Sequence, residues 1–462
     1  MESAAENSGD VSFLGLVFLV CMVALMWSLQ RRFALIPLMI TTCYMPLGQM
    51  FVVGGLHFQF FRILLLVSWC RVWLRHEAGG LRVSSLDKIF IWWLLVTLVL
   101  GSFTQPSVFS ERFLNRCGEV FNAAGTYFLV RCWILNPDEL IDLVRVMAWV
   151  IVPLALSMIV EKFTSRNVFS VFGGVPEITF ARDGKLRCQG AFRHPILAGT
   201  YGATLFPLFV GLWFQRGRSK RPAIIGACSA VIVTIAAASS GAVLALMGEV
   251  VAMGLWSMRF HMRRIRWVAV LLLVMLAIVM SAPVWYVFAK LSEIAGGEGW
   301  YRSYLIDMAV NHFGQWWLVG TTYTANWAPG GEVVAANPGN MDILNQYVAE
   351  GLAGGIVKLL LFVAMIVICF KTIGRFTRRQ DSLPASHRRF FWSLGVCLFG
   401  HCLSFFSVVY FDQIVVMWYW LLASISMLAL WGATPSQDSA AAASGIEANP
   451  RSLSKNLHDE FA

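Results

Sequence analysis

The feature that most constrains this chain is the length and number of its apolar runs. Val11–Leu29, Ile89–Gly101, Leu197–Phe214, Val268–Phe288, Leu352–Phe370 and Gln413–Trp431 carry almost no charge. A helix needs about 20 apolar residues to cross a hydrocarbon layer. Lipid offers no partner to backbone N–H and C=O groups, so a spanning segment must bond within itself as a helix or around a closed barrel. Barrel strands alternate with period two, and these runs do not. Of the 462 residues, 58% are hydrophobic and 13% charged, too little charge to cover a soluble domain of this size. The fold class expected is an all-α polytopic membrane protein of about 12–13 transmembrane helices. Spans fall near 11–29, 33–52, 57–75, 89–105, 119–136, 139–160, 196–215, 223–240, 241–258, 268–288, 352–370, 390–410 and 412–431.

The net charge of +10 does not read as a nucleic-acid surface, because the cations sit in short loops between spans. Gln30–Arg32, Arg216–Arg221, Arg259–Arg266, Lys371–Arg379 and His387–Arg389 follow the positive-inside pattern and place those loops in the cytoplasm. The same bookkeeping puts 161–195 and 289–351 outside, both long for connections in a bundle. Residues 1–431 then form the membrane domain, and the Ser/Ala-rich stretch 432–462 reads as a disordered cytoplasmic tail. The N-terminal Met1–Asp10 lacks a basic region, so the first apolar run is expected to be retained. Most cysteines lie inside spans as small hydrophobes; Cys117 and Cys188, on segments placed outside, could pair. The chain has no CxxC pair, Walker A loop, HExxH or dinucleotide fingerprint, and neither cofactor nor metal is expected.

Polar chemistry concentrates in the two exterior loops. The first ends Arg187-Cys-Gln-Gly190-Ala-Phe192-Arg193-His194-Pro195. Proline favours the first turn of a helix, and a helix start beside Arg187, Arg193 and His194 is an arrangement for an anion. A plain interfacial role for Arg193 and His194 fits the residue types equally well. The second loop opens with an amphipathic helix over Tyr301–Trp317 containing Arg302, Asp307 and His312. It closes with Asp342-Ile-Leu-Asn345-Gln346-Tyr347-Val-Ala-Glu350, whose polar residues share a face at helical spacing. That stripe either lines a cavity or caps and solvates the mouth of a span. Within spans, Arg62, Arg131, Glu249 and His401 are candidate buried ionisable groups, with Arg131 expected to snorkel to the interface.

Arg187–Gly199 resembles the R-x-x-G-x-F-x-H-P-N-x-L-A segment of the O-antigen ligase and O-antigen polymerase superfamily. The order of parts is also similar: a Ser-x-Gly-Ala break between two spans, then a long loop closed by Asn345-Gln-Tyr347-Val-Ala-Glu350-Gly351. The likeness covers roughly residues 150–370. It implies a metal-independent transferase at the periplasmic face of the bacterial inner membrane, similar to lipid-linked-sugar glycosyltransferases. Such enzymes take glycan from an undecaprenyl-diphosphate carrier and pass it to a polysaccharide or lipid acceptor. In that family arginines hold the diphosphate and a basic loop residue activates the acceptor hydroxyl. Arg187 and Arg302 would bind phosphate, and His194 or Asp342 would act as base or orienting group. Arg193, Asn345, Gln346, Tyr347 and Glu350 would contact substrate. Two positions depart from the pattern: Ser240 stands where the family break has arginine, and Ile196 where it has asparagine. The family's histidine before the closing stretch is also absent. Because the departures touch ligase-like positions, polymerase is preferred to ligase; transport of lipid-linked glycan and a non-catalytic export role are the competing readings.

Overall fold

A computed structural model describes residues 11–53, 56–78, 82–104, 109–182, 184–217, 219–287, 289–290, 299–327, 340–378 and 383–431. The tail expected beyond 431, and the loop positions 291–298 and 328–339, lie outside the described residues. The chain is mostly helical. In order it forms α1 (Phe13–Ser28), α2 (Ile36–Tyr44), strands β1 (Met50–Val53) and β2 (Leu56–Gln59), α3 (Phe60–Leu74), α4 (Ser85–Ser102), α5 (Phe109–Trp133) and α6 (Pro137–Thr164). A two-residue hairpin, β3 (Ala181–Arg182) and β4 (Lys185–Leu186), precedes α7 (Pro195–Trp213), α8 (Lys220–Ala236), α9 (Ser240–Gly254) and α10 (Met262–Val279). The remainder is α11 (Trp300–Asn311), α12 (Phe313–Trp316), α13 (Gln346–Leu352), α14 (Gly355–Arg378), α15 (Ala385–Ser404) and α16 (Gln413–Trp431).

Among the described residues five helices, α4, α6, α7, α14 and α16, are long and apolar enough to cross a membrane. These make it an all-α membrane protein. Sequence punctuation sets the helix starts: Ser84 and Asp87 form a reciprocal capping box on α4, and Asn136 caps α6 ahead of Pro137. α7 is largely enclosed, packing on α8, α9 and α15. Small residues make those contacts close. A Cβ on Gly202 would lie 2.7 Å from the Ala230 carbonyl, and one on Gly199 would lie 2.9 Å from the Ala242 methyl. By contrast α10 has no buried residue, and Leu271, Leu272, Leu273 and Val274 all face outward. An apolar helix exposed on all sides fits lipid rather than water.

The expected span 33–52 is corrected. There α2 covers nine residues and gives way to the β1–β2 hairpin, with Met50 opposite Gln59 and Phe51 opposite Phe58. Pro46 and Gly48 break the helix, and Gly48 packs on the backbone of Gly174 too closely for any side chain. Cys117 and Cys188, which the sequence allowed to pair, are both free thiols, one on α5 and the other buried in the loop before α7.

Arg131 does not snorkel. It is buried against α4, donating to Asp87 Oδ1 at 2.7 Å and to the Arg82 carbonyl at 3.0 Å. Asp87 also accepts from Tyr127 (2.6 Å) and Ser426 (2.6 Å), so one carboxylate joins α4, α5 and α16. Breaking one side of a buried pair strands the other charge, at a cost of about 3–5 kcal/mol. Arg131→Met should therefore lower the melting temperature of the micelle-solubilised protein markedly; an unchanged melt would mean that the pair does not hold the bundle.

Candidate functional site

The loop before α7 is fixed from three sides. Glu161, fully buried at the end of α6, accepts from the backbone N–H of Gln189 and Gly190 (both 3.0 Å) and from the Thr179 hydroxyl (3.1 Å). The Cys188 N–H donates to Ala236 at the end of α8, and Gln413 at the start of α16 donates to the Ala191 carbonyl at 3.0 Å. Gly190 sits at φ +56, and a Cβ there would press on Leu154 at 2.9 Å, so the turn needs glycine. From this strap Arg187 is held buried, and His194 caps α7 with its Nδ1 accepting from Ile196 N–H at 3.1 Å.

α11 brings Arg302 to the same place. Asp307 anchors this helix by accepting from Trp285 (2.7 Å) and Tyr286 (2.6 Å). The Arg302 guanidinium reaches the first turn of α9, where its Nη2 would be 3.9 Å from a Cβ on Gly241. Burial lowers its pKa from the usual arginine value, and the like charges of Arg182 and Arg187 lower it further. Arg187 is buried, Arg302 half-buried and Arg182 exposed, and their like charges repel one another. The His194 pKa is pushed down to about 4, chiefly by burial and then by Arg187, so the imidazole is neutral at physiological pH. It adds no cation to the cluster.

The structure brings together Arg187, His194 and Arg302 of the expected catalytic set. Asp342 lies near the first turn of α11, where its backbone carbonyl accepts from Tyr301 at 3.1 Å. The residues expected to contact substrate divide. Arg193 is 71% exposed and faces Asp412 at 3.8 Å. Asn345 caps α13 through Val348 N–H, and Tyr347 donates to the Cys402 carbonyl while packing on Phe362, Phe405 and Phe406. These two hold the helix in place. Gln346 and Glu350 turn away from the arginines into a separate network. Gln346 donates to Glu350 at 2.8 Å; Glu350 also accepts from Trp93 at 3.0 Å and meets Lys358 at 3.3 Å.

Two cavities adjoin this end of the bundle. The larger, about 900 Å³, begins at Gly241, Arg302 and Ser407 and follows α9 between α10, α14 and α15. Its walls are apolar, and it ends among Arg259, Arg266, Arg375 and Arg378. At 1.5 Å per residue, α9 makes that path roughly 22 Å long. The smaller cavity, about 400 Å³, lies between α3, α4, α5, α13 and α16. Sequence reasoning missed Glu161, Arg182, Asp412 and Gln413. Only Glu161, an acid closing an otherwise apolar run, gave a signal. Among the described residues no group of three or more His, Cys, Asp or Glu could hold a metal ion.

Fold and site together define a helical membrane protein with a cationic pocket at one mouth of a long apolar cavity. No protein-family model and no curated protein matches the chain.

His194 carries a pH signature. Its folded pKa near 4 lies below the ordinary 6.5, so between those values the unfolded chain binds a proton that the folded chain refuses. Stability present at neutral pH should be lost as pH falls from about 6.5 towards 4, by about 3 kcal/mol at most. His194→Asn keeps a capping side chain that does not titrate. Melts at pH 7 and 4.5 should show a smaller drop for the variant, and parallel drops would remove His194 as the cause.

Proposed function

We propose that the protein transfers glycan from an undecaprenyl-diphosphate carrier to a polysaccharide or lipid acceptor at the periplasmic face of the bacterial inner membrane, without a metal. One observation carries the reading: the apolar cavity along α9 ends at Arg302, beside Arg187 and Arg182. A substrate with a polyprenyl tail and a diphosphate head has that division of chemistry. The tail would lie along α9 within the bilayer. The head would sit among guanidinium groups, which match phosphate oxygens in pairs. Arg259, Arg266, Arg375 and Arg378 at the other end of the cavity belong to basic loops that the positive-inside pattern assigns to the cytoplasm, so the Arg302 end would face the periplasm.

In the transfer, an acceptor hydroxyl attacks the anomeric carbon and the bond from that carbon to the phosphate oxygen breaks. Negative charge develops on the departing diphosphate, where Arg187 and Arg302 stabilise it. The hydroxyl proton needs an acceptor. His194 has committed Nδ1 to the α7 cap and is a weak base at about 4. Desolvation raises the Asp342 carboxyl above its ordinary value, and Asp342 is the other candidate. Arg302 also supports the reading at a point of departure from the family pattern. Ser240 replaces the arginine of the break, yet Arg302 delivers its guanidinium beside Gly241 from another helix.

A second reading, movement of the lipid-linked glycan across the membrane, is favoured by Glu249. This carboxylate on α9 is wholly buried against Gly400, and neither oxygen meets a hydrogen-bond donor. Intramembrane acids of that kind often serve transport. Chromosomal deletion with plasmid rescue separates the two. Arg187→Ala and Arg302→Ala should each abolish surface polymer at normal protein abundance, with lipid-linked intermediates accumulating outside, while Glu249→Gln rescues. Normal polymer in both arginine variants would sink the transfer reading. Intermediates held on the cytoplasmic side, together with failure of Glu249→Gln, would establish transport instead.

A further inference from the structure

The end of the apolar cavity away from Arg302 gathers basic side chains from three elements. Arg259 comes from the turn Leu255–His261 after α9, Arg266 from the start of α10, and Lys371, Arg375 and Arg378 from the C-terminal part of α14. The α14 residues recur at helical spacing, so all three present one face to the cavity. Arg375 and Arg378, in the last turn, also oppose the helix dipole. That role explains neither Arg259 nor Arg266, which belong to other elements. Arg259 is half-buried, with its guanidinium carbon 4.3 Å from the Trp256 ring centre, and Arg389 of α15 approaches the same ring at 6.0 Å. Burial lowers the Arg259 pKa, and the charges of Arg388 and Arg389 lower it further. Acids are scarce here. From 250 to 292 the chain has none, and from 351 to 411 it has only Asp381. Among the described residues no ion pair reaches Arg259, Arg266, Lys371, Arg375 or Arg378.

Beyond these cations the cavity walls are apolar, formed by Met247, Val251, Met262, Phe370, Phe399 and Leu403. A free anion gains nothing from such walls, whereas a lipid that joins a phosphate to an acyl chain matches both parts. We propose that this end of the cavity binds an anionic phospholipid of the cytoplasmic leaflet, with its phosphate among Arg259, Arg266, Arg375 and Arg378 and an acyl chain along α9. The leaflet follows from the positive-inside pattern of these loops. The path along α9, roughly 22 Å, exceeds the ~15 Å of hydrocarbon in one leaflet, so the chain fits within it. The inference goes beyond glycan transfer and does not depend on what Arg302 binds.

The test is native mass spectrometry of the full chain, titrated with dioleoylphosphatidylglycerol and with dioleoylphosphatidylcholine, which share their chains and differ in net charge. The wild type should bind phosphatidylglycerol about fivefold more tightly or better. The paired change Arg375→Gln with Arg378→Gln should remove most of that preference. Both side chains are exposed, so the melting temperature should stay unchanged. Arg216→Gln with Arg221→Gln, in a basic loop that does not line the cavity, should keep the preference. Val251→Trp narrows the apolar part and should weaken both lipids. Glycerol 3-phosphate, which has the charge and no chain, should not compete. Equal binding of the two lipids by the wild type would overturn the site. Equal loss in the two paired variants would do the same, by reducing the effect to a general attraction of basic loops. Displacement by glycerol 3-phosphate would make it a site for soluble anions, and undiminished binding by Val251→Trp would put the lipid outside the cavity; either result overturns the proposal.

Discussion

The Glu161 carboxylate is the interaction on which the site depends. A carboxylate at the end of an apolar helix is costly unless donors meet it. Here the donors are the backbone N–H groups of Gln189 and Gly190 and the Thr179 hydroxyl. Satisfying the charge thus fixes the strap that carries Arg187 on one side and His194 on the other. The strap in turn sets where α7 starts, and α7 is among the most enclosed helices of the bundle. Electrostatic satisfaction of one side chain and placement of the guanidinium cluster are the same event.

The opposite end of the bundle is held by other means. Asp87 with Arg131, and Arg71 with Glu77 at 2.8 Å, lock the far ends of α3, α4 and α5. Trp133 adds a bond to Glu77 at 2.7 Å. Between these locks and the site, helices meet through small residues, and close backbone approach resists relative sliding. α10 is the exception, since it touches little of the bundle and leaves the apolar cavity along α9 open.

Helix order was legible in the sequence because lipid imposes a single requirement, internal satisfaction of the backbone, and hydropathy reads it directly. It failed at 33–52, where composition stayed apolar while Pro46 and Gly48 set the backbone; hydropathy carries no backbone geometry. Arg187, His194 and Arg302 were legible as candidates because cations at helix starts and loop helices are unusual in so apolar a chain. The partners were not. Arg131 and Asp87 are 44 positions apart, and nothing local tells an arginine that snorkels from one that is buried and paired. Gln346 and Glu350 lie one turn apart on α13 and are hydrogen-bonded, whereas Asn345 is its N-cap and Asp342 precedes the helix. Which cavity that face lines depends on how α13 docks against Trp93 and Lys358, and periodicity carries no such information.

Dividing those polar residues between two cavities changes what the site can do. Had Gln346 and Glu350 joined the arginines, Glu350 would have neutralised part of the charge that an anion needs. Instead Lys358 neutralises it inside the second cavity, and Trp93 lies with the lysine ammonium 5.1 Å from its ring centre. The arginine pocket receives no charge from Glu350, which pairs with Lys358 beside Trp93 in the second cavity. The division of polar residues between the two cavities follows from where one glutamate finds its counter-charge.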